Sequence, residues 1–182
     1  KQLSWNTVST YLRVFRAVYN RAVDLRKAEY IPHLFRSVYT GTRADRKRAL
    51  EDEEMRKVFG RLPELPEVTP DLRHAQNLFI LMFLLRGLPF VDLAYLRKTD
   101  IGDNFIHYVR QKTGQRLCVK IEPCMRSILA RYAPRTTGSP YAFPILRAEE
   151  AEKSYARYQV ALGYYNRQLK RLSAMLYLDT PL

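Results

Sequence analysis

Three side chains in the middle of this 182-residue sequence sit where a phosphate could be handled: Arg86, Asp92 and Lys112. Leu72, Ala75, Phe79 and Met82 step by three and four along a helical period, and Arg86 continues the series. That spacing predicts Arg86 in the last turn of a helix, on its core-facing side. An unpaired buried charge is expensive, so a guanidinium placed there needs partners. Two readings are open: it satisfies the C-terminal carbonyls of its own helix, or it binds phosphate through paired planar donors. Lys112 lies in Lys112-Thr113-Gly114, between two segments of alternating polarity, at the tip of an expected hairpin. Local spacing alone marks it as a turn lysine. Asp92 follows Gly87 on a short expected helix, where it either bridges a nearby arginine or takes a catalytic task.

The elements that must position these residues are mostly helical. Asn6 to Lys27 has an amphipathic period through Val8, Leu12, Phe15, Tyr19, Ala22 and Leu25, with Ser4 or Asn6 as N-cap. Its polar face carries Arg13, Arg16, Asn20 and Lys27, which either track phosphates or are solvated. From Ile31 to Arg48 the period disappears, Pro32 and Gly41 interrupt the chain, and Arg43, Arg46, Lys47 and Arg48 gather around Asp45. This stretch reads as a linker, most basic over residues 41–48. A second helical unit opens at Leu50-Glu51-Asp52-Glu53-Glu54, where clustered acids suit the positive end of a helix dipole. Leu72 to Leu85 is the most hydrophobic segment, its run Phe79 to Leu85 apolar all round as expected of the buried centre of a domain, and Gly87 ends it. Phe90 to Leu96 forms a short helix. Phe105 to Arg110 and Gln115 to Ile121 form the β-hairpin, Pro123 to Tyr132 a helix, and Glu149 to Met175 a long helix. The expected architecture is mainly α with a small antiparallel β-sheet.

Composition narrows the class of partner. Lys and Arg outnumber Asp and Glu by 31 to 18, a net charge of +13 that favours a polyanion such as nucleic acid. Residues 1–48 hold 11 basic and 3 acidic side chains, so most of the excess lies in the smaller N-terminal part. The two cysteines, Cys118 and Cys124, have no partners at metal-ligand spacing, so no zinc site or disulfide framework is expected. The longest apolar run, Leu78 to Leu85, is far below the ~20 residues of a membrane span. A cytoplasmic protein with no membrane partner is the expectation.

The order of these parts resembles a known family. Phe83-Leu-Leu-Arg-Gly-Leu-Pro-Phe-Val-Asp-Leu-Ala-Tyr-Leu-Arg-Lys-Thr-Asp-Ile101 resembles the first active-site box of the tyrosine recombinases, or phage integrases. Phe105 to Ile121 resembles the hairpin that follows, whose Lys-Thr-Gly carries the family's catalytic lysine, and Lys112 takes that place. Asn6 to Val23 is similar to the last long helix of the family's core-binding domain, and Lys47-Arg-Ala-Leu-Glu51 to the start of its catalytic domain. One departure stands out. The family's usual Thr-Gly-Leu-Arg run falls on Arg86-Gly87-Leu88-Pro89, so Pro89 occupies the arginine position, Arg86 the threonine position, and Asp92 the place of the family's acidic residue.

The resemblance implies residues 1–40 as the C-terminal part of a helical core-binding domain, 41–48 as a basic linker and 49–182 as the N-terminal part of an integrase catalytic domain. It implies a tyrosine attacking a DNA phosphodiester to leave a 3′-phosphotyrosine link, without metal or other cofactor. Arg86 would clamp the phosphate from one helical turn before the usual position, Lys112 would protonate the leaving 5′-oxygen, and Asp92 would support them. The basic residues Arg13, Arg16, Asn20, Lys27, Arg43, Arg46, Lys47 and Arg48 would contact DNA. A His-x-x-Arg box and the nucleophilic tyrosine are expected downstream of Leu182. Asn166 to Met175 resembles the helix leading toward that box, and none of the thirteen tyrosines stands in the nucleophile's context. The expectation is therefore a piece that binds double-stranded DNA without cutting it, as monomer or dimer, from a protein that acts as a homotetramer on DNA. Two other classes compete. A helical DNA-binding or architectural module explains the charge but not the ordered box and hairpin. An RNA-binding sheet would need more exposed aromatics than Phe105 and Tyr108.

Overall fold

The computed structural model describes residues 3–41, 49–147 and 151–182, the side chains of residues 151 and 152 excepted. The chain divides into two compact units, Lys1–Lys47 and Arg48–Leu182.

In the first unit Ser4 caps helix α1, Trp5–Asp24, by accepting from the Thr7 amide at 3.2 Å. The helix stops three residues before Lys27, because Arg26 turns left-handed at φ 54° and the Lys27 amide closes back on the Ala22 carbonyl. Residues 29–41 then fold against the helix, so the part of the expected Ile31 to Arg48 linker that precedes residue 42 is packed on α1 instead of running off. The Tyr19 hydroxyl donates to the Glu29 carbonyl at 2.8 Å and accepts from the Ile31 amide at 2.7 Å. Ser9 donates to the Gly41 carbonyl at 2.5 Å, and Phe35 packs edge-on against Phe15 and Tyr19. Only Ser9 of α1 is buried, while Tyr11, Val14, Phe15 and Val18 are all more than half exposed.

In the second unit the order is α2 (Asp52–Phe59), α3 (Pro70–Leu84), α4 (Phe90–Tyr95), β1 (Phe105–Val109), β2 (Arg116–Lys120), α5 (Pro123–Tyr132) and α6 (Ala151–Met175). The two strands pair antiparallel, with Ile106 opposite Val119 and His107 opposite Cys118. The protein is thus mainly helical with one small antiparallel sheet.

Helix α3 is the centre of this unit. Leu72, Ala75, Leu78, Ile80 and Leu81 are buried on it, and α2, α5 and α6 pack around it. Burying each large aliphatic chain of this kind stabilises the fold by ~1.5–3 kcal/mol. The helix is not buried all round, since Phe83 is half exposed and lies edge-on to Phe59. Gln76, buried on α3, donates to the Val58 and Gly60 carbonyls at 2.8 Å each and so ties down the end of α2.

The beginning of α2 is tied to the last residues of the chain. Glu54 returns one carboxylate oxygen to the Glu51 amide at 3.1 Å as part of a capping box. Its other oxygen accepts from the Asp179 and Thr180 amides at 2.9 and 3.1 Å. The bond from Thr180, followed by that from Glu51, holds this carboxyl below the usual glutamate range.

Candidate active site and its hairpin

The α3 helix ends on a double left-handed turn. Leu85 is its C-cap, and Arg86 and Gly87 follow with φ of 59° and 71°. The Arg86 and Gly87 amides bond the Phe83 carbonyl, and the Leu88 amide closes on the Met82 carbonyl at 3.0 Å. For a residue with a Cβ this conformation costs roughly 1–2 kcal/mol. Pro89 then sets the extended entry to α4 as its N-cap, with φ −64°.

This geometry corrects the expected placement of Arg86. The apolar stripe carries it to the core side only if the helix continues, and the helix has already stopped. Arg86 is exposed, beside a buried Leu85 and a buried Leu88.

The hairpin is fastened to this turn at three points. The buried Tyr108 hydroxyl donates to the Leu85 carbonyl at 2.9 Å. Burial keeps that phenol above its ordinary pKa, so it stays a neutral donor. One guanidinium nitrogen of Arg110 donates to the carbonyls of Arg86 and Gly87, both at 3.1 Å. Buried Asp92, on α4, accepts from the Gln111 amide at 3.2 Å. The two side-chain contacts follow the strand's alternation, since Tyr108 and Arg110 share its inner side with Ile106. Beyond them, the Gly114 amide returns to the Arg110 carbonyl at 2.7 Å, and Gly114 takes φ 69° to close the turn. Lys112 stands exposed at the tip, two residues beyond the arginine that grips the Arg86 turn.

Arg86, Asp92 and Lys112 are therefore brought to one region. Asp92 does not bridge an arginine: among the described residues the one ion pair is Arg61–Glu64, and Asp92 instead holds the root of the hairpin tip. The structure adds Arg110 and Tyr108 to this arrangement. Their signal is a charged group and a phenol at inward strand positions, which a packed hairpin must explain. Arg110 also leaves its Nε buried without an acceptor among the described residues. Three cationic side chains without a carboxylate ion pair among the described residues make this region suited to an anion, with Lys112 exposed at the tip.

The other predicted contacts lie in the first unit. Arg13, Arg16 and Asn20 are exposed on α1, while Lys27 is exposed beyond its end, so the four do not form one helical face. Arg43, Arg46, Lys47 and Arg48 lie outside the described residues. Among the described residues no group of three or more His, Cys, Asp or Glu side chains could hold a metal ion, and no helix is long and apolar enough to cross a membrane.

No family model and no curated protein matches the chain. It is similar to solved chains of lambda integrase. A lambda integrase (75–356) dimer bound to a COC′ core site aligns with 15% identity and a TM-score of 0.46, over 89% of this chain and 69% of that one. A lambda integrase tetramer bound to a Holliday junction gives 15% and 0.46, over 89% of this chain and 56% of that one. A further lambda integrase dimer on a COC′ core site gives 16% and 0.47, with 87% and 48% covered.

Proposed function

We propose that this chain is part of a tyrosine-type site-specific DNA recombinase, with residues 1–40 in a core-binding domain, 41–48 as a linker and 49–182 in the catalytic domain. The observation that carries this reading is the fastening of a Lys-Thr-Gly hairpin tip onto the Arg86 turn through Tyr108, Arg110 and Asp92. A solvated turn lysine has no need of such anchoring. An acid that must meet a phosphate held by an arginine does, because misplacement of a reacting group is costly in rate.

In this reading Arg86 clamps the non-bridging oxygens of the scissile phosphate as negative charge develops. Lys112 delivers a proton to the 5′-oxygen as the tyrosine displaces it, leaving a 3′-phosphotyrosine. Asp92 acts through the Gln111 amide by holding the tip. The chain itself binds double-stranded DNA without cleaving it, and the complete protein works as a homotetramer on paired sites.

The test uses the protein that also carries the His-x-x-Arg box and the nucleophile. Lys112→Ala should slow cleavage of ordinary DNA by about 10²–10⁴-fold while sparing a substrate with a 5′-bridging sulfur, whose leaving group needs no proton. Equal loss on both substrates rejects Lys112 as the acid, and full cleavage by Arg86→Ala rejects the clamp.

A further inference from the structure

A cleft of ≈ 580 Å³ lies between α1 and the segment at residues 30–40, lined by residues of the first unit alone. Arg16 and Asn20 line it from α1, one helical turn apart and so on one face. Tyr30, His33, Arg36 and Thr40 line it from the segment. The segment is pinned in place, because the Tyr19 hydroxyl bonds the Glu29 carbonyl and the Ile31 amide while its ring packs edge-on against Phe35. The Arg36 amide returns to the His33 carbonyl at 2.9 Å, and His33 turns left-handed at φ 59°. Strained backbone of this kind gathers at ligand clamps.

No Asp or Glu lines the cleft. Arg16 and Arg36 are both exposed and make no hydrogen bond, ion pair or ring contact with another described residue. Two guanidinia lining one space without a carboxylate attract an anion, and their planar donors suit phosphate. A bare phosphate would leave most of the volume empty, and the remaining wall is suited to a ring. Tyr30 is 70% exposed, its ring meets no other aromatic ring among the described residues, and the exposed Ile31 and Leu34 line the cleft with it. An open aromatic face beside paired cations matches a base and its phosphate on a single strand. A duplex cannot use that face, since its bases already stack on one another.

We propose that this cleft receives one unpaired nucleotide of a single strand, its phosphate at the Arg16 and Arg36 guanidinia and its base on the Tyr30 ring. The site uses neither Arg86 nor Lys112 and goes beyond the duplex contacts given to Arg16 and Asn20.

The test follows fluorescence anisotropy as the 182-residue chain is titrated into labelled oligo-dA, the matching RNA strand, and the DNA strand annealed to its complement. Tyr30→Ala should weaken single-strand binding at least about fivefold, Tyr30→Phe should keep it, and duplex affinity should not move. Arg36→Ala should lower the salt slope of single-strand binding by about 0.7, the share of one phosphate. Tyr30-dependent binding of either single strand supports the proposal, and the tighter of the two names the source of the nucleotide. Single-strand affinity indifferent to Tyr30→Ala, equal losses on single strand and duplex, or a loss in Tyr30→Phe as large as in Tyr30→Ala overturns it. The duplex arm stands apart: a chain that holds single strands through Tyr30 but binds no duplex counts against the recombinase reading and supports this one.

Discussion

Helices α1 and α3 start from similar apolar repeats and end in different circumstances. The 20 residues of α1 bury Ser9 alone, whereas the 15 residues of α3 bury six side chains. The difference lies in what the chain places opposite each. Around α3 it sets α2, α5, α6 and a hairpin fastened to the helix's end, while against α1 it folds residues 29–41 through a tyrosine, a serine and one phenylalanine. A repeat specifies a helix; burial needs a second surface to match it. In α1 the arginines are exposed, and in the second unit the backbone that carries the cations near Arg86 is fastened to a frame of hydrogen bonds from Tyr108, Arg110 and Asp92.

The largest effects should come from breaking that frame. Leu81→Ala, at a fully buried α3 position, should cost ~2–5 kcal/mol in urea unfolding, while Val18→Ala on the open face of α1 should stay within about 0.5 kcal/mol. Equal losses would erase the contrast. Arg110→Ala removes the donors to the Arg86 and Gly87 carbonyls and should cost roughly 1–2 kcal/mol. Amide exchange should then quicken at Gln111, Thr113 and Gly114, and unchanged exchange there would show that the tip does not depend on its anchor. Gly114→Ala meets no atom within 4 Å, so only its φ of 69° opposes it, and about 1 kcal/mol is expected.

On α1 the effect should fall on binding instead of folding. Replacing both Arg13 and Arg16 by alanine should move stability by less than about 0.5 kcal/mol yet lower the salt slope of DNA binding by about 2. An unchanged slope would mean that α1 does not touch phosphate. The smallest effect is local and set by acid. Because its bonds to Thr180, Glu51 and Asp179 depress the Glu54 pKa, its contribution is complete above the ordinary glutamate value of 4.5 and is lost as pH falls below it through the folded value. Protection of the Asp179 and Thr180 amides should fade in that window, and Glu54→Gln should remove the pH dependence.

The helices, the hairpin and the small sheet could be read from periods, from Pro123 and from Gly114, because each is a local signal. Lys112 at a tip was legible for the same reason. Arg86 was not, because extrapolating a stripe says nothing about where the helix stops, and two left-handed residues intervene there. The inward role of Arg110 and the folding of residues 29–41 on Tyr19 rest on bonds to distant backbone carbonyls. Carbonyls are present at every residue, so such bonds leave no trace in the order of side chains.

The Glu54 clasp has a consequence for synthesis. Its partners Asp179 and Thr180 lie 125 and 126 residues further along the chain. At ~5–20 residues per second, the ribosome delivers them on the order of ten seconds after α2. During that interval α2 has its own capping box but not the tail that covers it. The clasp can close only after Asp179 and Thr180 emerge, so the growing protein should remain open to proteases at α2 until then.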